Sequence, residues 1–203
     1  PDYLIRAYIQ SGIIDKKLVI AGSNDADPAY VCQLKEMTQE HENIIFTGAV
    51  YGIDKEKLLE SCFAFCIPST IEGLAITLLE AMSYGKICIA SDILANKEGL
   101  GENGLWVKAE DEESLCRAMK YVCEHYSELK KSGMLNQNRV ETHFTWDKIA
   151  GKYELFIKSL INKDEIIKKI EPNLNRWTFN RLNYVIQAML IASYTERNIL
   201  KGA

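Results

Sequence analysis

Two glutamates, Glu72 and Glu80, together with Gly73, form the part of this chain whose residue types and spacing are best suited to chemistry. The Glu-Gly pair follows an apolar run over residues 62–68, and an amphipathic pattern predicts a helix over residues 74–84. Free backbone N–H groups at the helix start, together with the helix dipole, favour an anion such as a phosphate. Glu80 would lie inside the helix, about 9 Å further along at 1.5 Å per residue.

The two carboxylates suit different hydroxyl groups of one phosphorylated ligand. A carboxylate at Glu80 can accept two hydrogen bonds at once, which suits a ribose diol. Glu72, in the loop before the helix, could accept hydrogen bonds from a sugar hydroxyl beyond the phosphates. Neither role requires a proton transfer. A purely structural alternative stays open, because acidic residues near a helix start are common and Glu80 could lie on a solvated face.

The elements that must position these residues alternate between short apolar runs and helical patterns. Strands are predicted at residues 17–22, 43–48, 62–68, 87–91 and 104–107, and helices at residues 2–12, 28–41, 54–61, 74–84, 112–125 and 146–160. This alternation predicts an α/β fold, a Rossmann-like parallel sheet with helices on both faces, followed by C-terminal helices. Gly22 and Gly48 each end a strand at the edge of the sheet where ligand-binding loops lie. Each glycine either allows a ligand to approach the backbone closely or simply forms an ordinary turn. Tyr51 could stack on a base or cover the sheet.

Composition excludes several classes of function. The chain has 203 residues, 47% of them hydrophobic and 26% charged, with a formal net charge of −4, which argues against a nucleic-acid-binding surface. Its six cysteines include no Cys-x-x-Cys pair, so we expect reduced structural thiols and no metal. The sequence shows no signal peptide and no apolar run long enough to span a bilayer. We therefore expect a cytoplasmic location and, because the chain begins with proline, an excised domain.

The central block resembles the donor-binding second half of the retaining GT-B glycosyltransferases of group 1, and the similarity extends over about residues 1 to 160. Ala75 stands where that family usually has a second glycine. The residues that carry the resemblance are Pro68-Ser69, Glu72-Gly73, Leu79-Glu80-Ala81-Met82, Gly85, Ile89-Ala90-Ser91, Asn103-Gly104-Leu105 and Phe144-Thr145-Trp146.

The resemblance implies a site and a substrate. Glu80 would hold the ribose of a nucleotide-diphosphate sugar, Glu72 would contact the donor sugar as the catalytic residue of this half, and no cofactor is needed. The diphosphate would lie against the backbone from Gly73 through Leu74 and Ala75 to Ile76, and against the Thr77 hydroxyl. The further donor-site residues implied are Gly22, near the diphosphate, and Gly48 and Val50, near the nucleobase.

The resemblance also implies how the chain is organised. Residues 1–143 would be the nucleotide-sugar-binding domain, 144–162 a crossover helix towards the acceptor half, and 163–203 a helical appendage. The first strand of the family's domain, with its diphosphate-binding arginine and lysine, is not among these residues, and Arg6 is a poor substitute. The middle of the sheet would then hold an empty slot. The isolated chain would be inactive without the N-terminal acceptor-binding domain.

Several alternatives stay open at this stage. A sugar-nucleotide epimerase would use a similar nucleotide site, whereas an NAD-binding domain needs a Gly-x-Gly-x-x-Gly pattern that is absent. A glycoside hydrolase would need Glu72 and Glu80 on opposite sides of a sugar. A non-catalytic assembly module is the last alternative, and only the apolar C-terminal residues support it.

The predicted helix over residues 177–200 could pack on protein or contact the inner face of a membrane through Arg176, Arg181 and Arg197. The oligomeric state also stays open. We expect the full protein to act in the synthesis of a cell-surface polysaccharide or glycolipid.

Overall fold

The computed structural model describes residues 1–23, 27–161 and 167–168. Its elements alternate as the sequence predicts. All the paired strands run parallel, which confirms the predicted α/β fold with a parallel arrangement. The elements are α1 (Asp2–Ser11), β1 (Leu18–Ala21), α2 (Pro28–Glu36), β2 (Ile44–Gly48), α3 (Gly52–Ser61), β3 (Ala64–Ile67), α4 (Ile76–Ser83), β4 (Ile87–Ser91), α5 (Leu94–Leu100), β5 (Leu105–Val107), α6 (Glu112–Glu124), α7 (Tyr126–His143) and α8 (Trp146–Ile161).

The strands form two separate sheets within one compact unit, Pro1–Thr142. One sheet pairs β1 with β2, and the other has the order β3-β4-β5. Along the described chain, β1 and β3 therefore each have one edge without a strand partner. Residues of both edges line a cavity of about 1210 Å³. This arrangement agrees with the predicted slot in the middle of the sheet.

Strand β4 shows how the two faces of its sheet are covered. Successive side chains of a strand point to opposite faces. Ile87 and Ile89 belong to one buried cluster with residues of α1, α2 and α6. Cys88 and Ala90 belong to a second cluster with residues of α3, α4 and α5. All five residues of β4 are buried, as expected for a strand covered by helices on both faces.

Some helix boundaries differ from the predicted ones. Helix α4 begins at Ile76 rather than at residue 74, because Leu74 lies in the preceding loop and Ala75 occupies the N-cap position. Helix α2 ends at Glu36 instead of residue 41. The following amides bond to the carbonyl three residues back, as Thr38 does to Lys35, which is typical of turns. Helices α5 and α7 lie where the sequence pattern predicts no helix.

Helix α7 lies against the turn that joins α4 to β4. Gly85, in this turn, has φ of +65°, and a Cβ atom placed on Gly133 of α7 would lie 2.1 Å from the Gly85 carbonyl oxygen. The buried Asn136 side chain donates to the Lys86 carbonyl oxygen at 3.0 Å. Two residues of α7 therefore fix the end of the helix that carries Glu80.

The C-terminal predictions are only partly covered by the described residues. Helix α8 coincides with the helix predicted over residues 146–160, and its role as a crossover helix stays a prediction. The predicted appendage 163–203, with its helix over residues 177–200 and the three arginines, lies outside the described residues apart from residues 167–168. Among the helices that are described, none is both long and apolar enough to cross a membrane.

Candidate functional site

The cavity between β1 and β3 reaches the carboxyl ends of three strands. Its lining there includes Ser23 after β1, Tyr51 after β2 and Thr70 after β3. Loops that follow parallel strands meet at this edge, which is where open α/β sheets bind ligands. Of the predicted site residues, those that line the cavity are Gly22, Val50, Glu72, Thr77 and Glu80.

The start of α4 presents uncapped amides beside this cavity. Ala75 is the N-cap residue, and no side chain caps the helix. In the first helical turn the Leu78 amide donates to the Ala75 carbonyl oxygen at 3.0 Å, whereas the Ile76 and Thr77 amides have no carbonyl partner among the residues that the structure describes. The Thr77 hydroxyl lines the cavity and has no hydrogen-bond partner in the described part of the chain. Amides and hydroxyl together form a set of donors that can bind an anion.

The loop between β3 and α4 holds the remaining predicted phosphate-binding residues. Gly73, Leu74, Ala75 and Ile76 do not line the cavity, although they connect Glu72 and Thr77, which do. Ala75 has φ of −70°, so alanine is accommodated without strain where the family usually has glycine. No heavy atom lies within 4 Å of a Cβ placed on Gly73, and its φ is not in the left-handed region. The fold itself therefore does not require a glycine at position 73.

Glu80 faces the cavity and is paired with a lysine that sequence analysis did not identify. Lys55, in the first turn of α3, donates from Nζ to Glu80 Oε1 at 2.6 Å. The side chains are 35% and 31% exposed, respectively. The hydrogen bond that Lys55 donates to Glu80 raises the pKa of Lys55 above its ordinary value, so the lysine stays charged at neutral pH. Glu80 is thus neither buried nor directed into bulk water.

Glu72 is half-buried and has no hydrogen-bond partner among the described residues. A polar network holds the chain just before it. The Ser91 hydroxyl at the end of β4 donates to the Ser69 carbonyl oxygen. Asn96 of α5, which is fully buried, donates to the Ser91 hydroxyl at 2.9 Å and to the Ser91 carbonyl oxygen at 3.1 Å. Glu72 therefore lies three residues beyond an anchored point, with its carboxylate oxygens free to bind a ligand.

The glycines at the ends of β1 and β2 have different roles. Gly48 has φ of +71°, a backbone conformation that glycine adopts without strain, whereas Gly22 does not have a positive φ. The Gly22 amide donates to the Gly48 carbonyl oxygen at 3.0 Å. Gly22 lines the cavity but Gly48 does not. Tyr51 lines the cavity with 77% of its side chain exposed, so it does not cover the sheet.

Three basic residues near the start of the chain, Arg6, Lys16 and Lys17, are not placed to bind an anion at the start of α4. Arg6 is engaged by Asp2 at 2.9 Å and by Glu112 at 2.5 Å, in agreement with the prediction that it is a poor phosphate ligand. Lys16 and Lys17 line the cavity but precede β1, at the opposite end of the strand from the α4 amides. No group of three or more His, Cys, Asp or Glu side chains within the described ranges could hold a metal ion. All six cysteines are free.

The family of the chain follows from its similarity to known protein families. Residues 1–125 match the model of the family described as glycosyl transferases group 1. The chain belongs to this family. The matched range includes β1 to β5, the cavity, Glu72 and Glu80, and it confirms the family predicted from the Glu-Gly and Leu-Glu-Ala-Met blocks. Family membership favours the glycosyltransferase prediction over the NAD-binding and hydrolase alternatives.

Two relatives illustrate the similarity in sequence. An uncharacterised glycosyltransferase of Methanocaldococcus jannaschii is 30% identical over 156 residues, which is 73% of this chain and 39% of the relative. An N,N'-diacetylbacillosaminyl-diphospho-undecaprenol alpha-1,3-N-acetylgalactosaminyltransferase of Campylobacter jejuni is 29% identical over 112 residues, 52% of this chain and 27% of the relative. The chain thus spans well under half the length of these relatives.

The fold is also shared with solved structures. A protein from Anabaena, solved in complex with UDP and glucose, superposes with a TM-score of 0.71 at 20% identity, covering 77% of this chain and 44% of that protein. A sucrose-phosphate synthase from Thermosynechococcus elongatus gives the same TM-score and identity, covering 80% of this chain and 43% of the other. At this level of identity the likeness establishes the fold of the chain.

Proposed function

We propose that the chain is the donor-binding domain of a glycosyltransferase and binds a nucleotide-diphosphate sugar at the carboxyl edge of the cavity. One observation supports this proposal most directly. The two carboxylates, Glu72 and Glu80, and the Thr77 hydroxyl line the same cavity, and the uncapped start of α4 lies between the two carboxylates along the chain. A ligand with a diol, a diphosphate and a sugar matches this arrangement. The diol and the sugar hydroxyls can donate to the two carboxylates, and the diphosphate can accept from the amides and the hydroxyl between them.

In the proposed complex, the Glu80 carboxylate accepts hydrogen bonds from the ribose diol. The amides from Gly73 to Ile76 and the Thr77 hydroxyl donate to the diphosphate, whose charge also interacts favourably with the dipole of α4. Glu72 accepts hydrogen bonds from the donor sugar and orients it. Gly22 would lie near the diphosphate, and Gly48 and Val50 near the nucleobase.

The proposed reaction moves the sugar from the diphosphate to an acceptor hydroxyl. The bond between the anomeric carbon and the diphosphate oxygen breaks, its electron pair stays with the diphosphate, and a new bond forms to the acceptor oxygen. The acceptor proton ends on the diphosphate or in solvent. Fixed N–H donors stabilise the charge that grows on the leaving group and need no metal cofactor for this task. We also propose that the anomeric configuration is retained, as the family resemblance implies.

The proposal extends to a larger protein. An acceptor-binding domain would complete the active site, because the chain spans only 39% of its archaeal relative. The isolated chain would then bind donor without transferring sugar. The Campylobacter relative is named for a diphospho-undecaprenol substrate, which supports a role in cell-surface glycan synthesis and a peripheral contact with the membrane.

The test is an equilibrium titration of the chain with UDP, GDP, ADP and NAD. We expect saturable binding of at least one nucleoside diphosphate and no binding of NAD. Glu80→Gln should weaken nucleoside diphosphate binding by about tenfold or more, since a hydrogen bond to a charged group contributes about 1.5–3 kcal/mol. Glu98→Gln, an equal charge change at an exposed position of α5 outside the cavity, should bind as the unmodified chain does. Saturable NAD binding without diphosphate binding would contradict the proposal.

A further inference from the structure

The ion pair between Lys55 and Glu80 joins two helices across one end of the cavity. Lys55 lies in the first turn of α3 and Glu80 in α4, 25 residues apart in sequence, and both line the cavity. Ion pairs that are this exposed contribute little to folding stability, so stability alone gives no strong reason for the contact. Its position beside the proposed ribose site suggests a role in ligand binding.

We propose that Lys55 is a positioning residue, which holds the Glu80 carboxylate in the orientation that accepts a ribose diol and thereby sets the preference for ribonucleotides over deoxyribonucleotides. This inference rests on the proposed function, because it assigns a specificity determinant to the same donor site. The contact that carries it is the 2.6 Å hydrogen bond from Lys55 Nζ to Glu80 Oε1.

The acceptor capacity of the carboxylate allows Lys55 and a diol to bind together. An ionised carboxylate offers about four lone-pair positions on its two oxygens. Lys55 uses one of these positions on Oε1, and Oε2 has no hydrogen-bond partner among the described residues. A vicinal diol needs two positions, so the lysine does not have to leave when the ribose binds. The ligand would meet a carboxylate whose rotamer is already fixed, which lowers the entropy cost of binding.

The positive charge of Lys55 would also favour binding of a diphosphate. A bare carboxylate close to a diphosphate repels it, whereas a carboxylate paired with an ammonium group is locally neutral. Of the lysines that line the cavity in the described chain, Lys16 and Lys17 lie before β1, while Lys55 lies after β2, at the end with the α4 amides. Lys55 is therefore the lysine placed to offset the charge of Glu80.

The experiment measures binding of UDP, GDP and ADP, and of their 2′-deoxy forms, to the full chain by titration calorimetry. Lys55→Met removes the charge and keeps most of the side-chain length, and Lys55→Arg restores a donor. Lys57→Met is the matched control, because Lys57 lies on the same helix, is exposed and does not line the cavity. The thermal unfolding midpoint of each variant checks that it is folded.

We expect the unmodified chain to favour the ribonucleotide by about tenfold or more, the factor that one charge-assisted hydrogen bond supplies. Lys55→Met should weaken ribonucleotide binding by about tenfold and bring the ratio of ribonucleotide to deoxyribonucleotide affinity close to one. Lys55→Arg and Lys57→Met should keep the ratio of the unmodified chain. A purely structural ion pair would leave this ratio unchanged in Lys55→Met, whatever its small effect on the unfolding midpoint.

The outcomes separate this inference from the proposed function. If Glu80→Gln weakens nucleoside diphosphate binding but Lys55→Met leaves the ratio unchanged, the role of Lys55 is refuted and the donor site stands. If Lys55→Met binds the ribonucleotide more tightly, Lys55 competes with the ribose and the inference is also refuted. If the unmodified chain binds none of the three nucleoside diphosphates, both proposals are wrong.

Discussion

The contact of Gly133 with Gly85 gives a stability prediction whose size follows from the geometry. Gly133→Ala would place a methyl carbon 2.1 Å from the Gly85 carbonyl oxygen and 2.9 Å from its carbonyl carbon. Real Cβ atoms essentially never approach other heavy atoms more closely than 3.0 Å, and both partners here are backbone. Helix α7 must therefore move away by about 1 Å at this point, in a region that is close-packed.

The cost of this movement combines three effects. Overpacking of a well-packed contact costs about 1–3 kcal/mol. The shift also threatens the hydrogen bond from Asn136 to Lys86, and a buried polar group without a partner costs about 1–3 kcal/mol. Replacing glycine by alanine inside a helix returns about 1 kcal/mol. We expect the variant to lose about 3 kcal/mol of unfolding free energy, which corresponds to a fall of roughly 10 °C in Tm.

Thermal and urea-induced unfolding measure this loss, and Gly99→Ala is the control. Gly99 also lies in a helix of the same unit, but its added Cβ would be 3.4 Å from a Leu78 methyl group, an ordinary van der Waals contact. We expect Gly99→Ala to change the unfolding free energy by less than about 1 kcal/mol. If Gly133→Ala were as stable as this control, α7 would not lie against Gly85 in solution, and the reasoning would be refuted.

Two further predictions concern the loop between β3 and α4. Gly73→Ala should raise the unfolding free energy by about 0.4–1 kcal/mol, because nothing obstructs the added methyl group and glycine is more flexible when unfolded. In the proposed complex the diphosphate lies against the Gly73 backbone, so the added methyl group should weaken nucleoside diphosphate binding by about tenfold, and unchanged affinity would contradict a diphosphate there. Asn96→Ala should lower the unfolding free energy by about 2–3 kcal/mol, because two buried hydrogen bonds to Ser91 are lost. A loss below about 0.5 kcal/mol in urea would show that this network does not hold the loop.

The fold could be predicted wherever burial leaves a periodic apolar pattern. Strand β4 has the predicted bounds because every one of its residues is buried and apolar or small. Helix α7 escaped prediction because the two buried positions in the middle of its inward face are Gly133 and Asn136, so the apolar residues that pack on the core, Tyr126, Leu129 and Val140, are interrupted. Helix α5 is only seven residues long and contains a glycine. Periodicity cannot detect helices of either kind.

The part of the site that lies on one contiguous segment could be predicted from the sequence, whereas the part that comes from another segment could not. Glu72, Thr77 and Glu80 lie on one strand–loop–helix segment, so their spacing in sequence carries their spacing in the fold. Lys55 comes from a different segment, and a lysine in the first turn of a helix is usually a solvated residue. One signal was available before the structure, because Lys55 lies in the first turn of the helix that follows β2, and so at the carboxyl ends of the strands, where ligands bind.

The parts of the site are held by contacts that need no ligand, and this bears on how a donor would bind. The Ser69 carbonyl is anchored through Ser91 to the buried Asn96, α7 fixes the end of α4, and Lys55 holds the Glu80 carboxylate. A ligand that binds such a site pays less for ordering side chains and loops. The Glu72 carboxylate and the Thr77 hydroxyl are the exceptions, because neither has a hydrogen-bond partner among the described residues. The residue proposed to contact the transferred sugar is thus left free to adjust, while the Glu80 carboxylate proposed for the ribose is held in advance by Lys55.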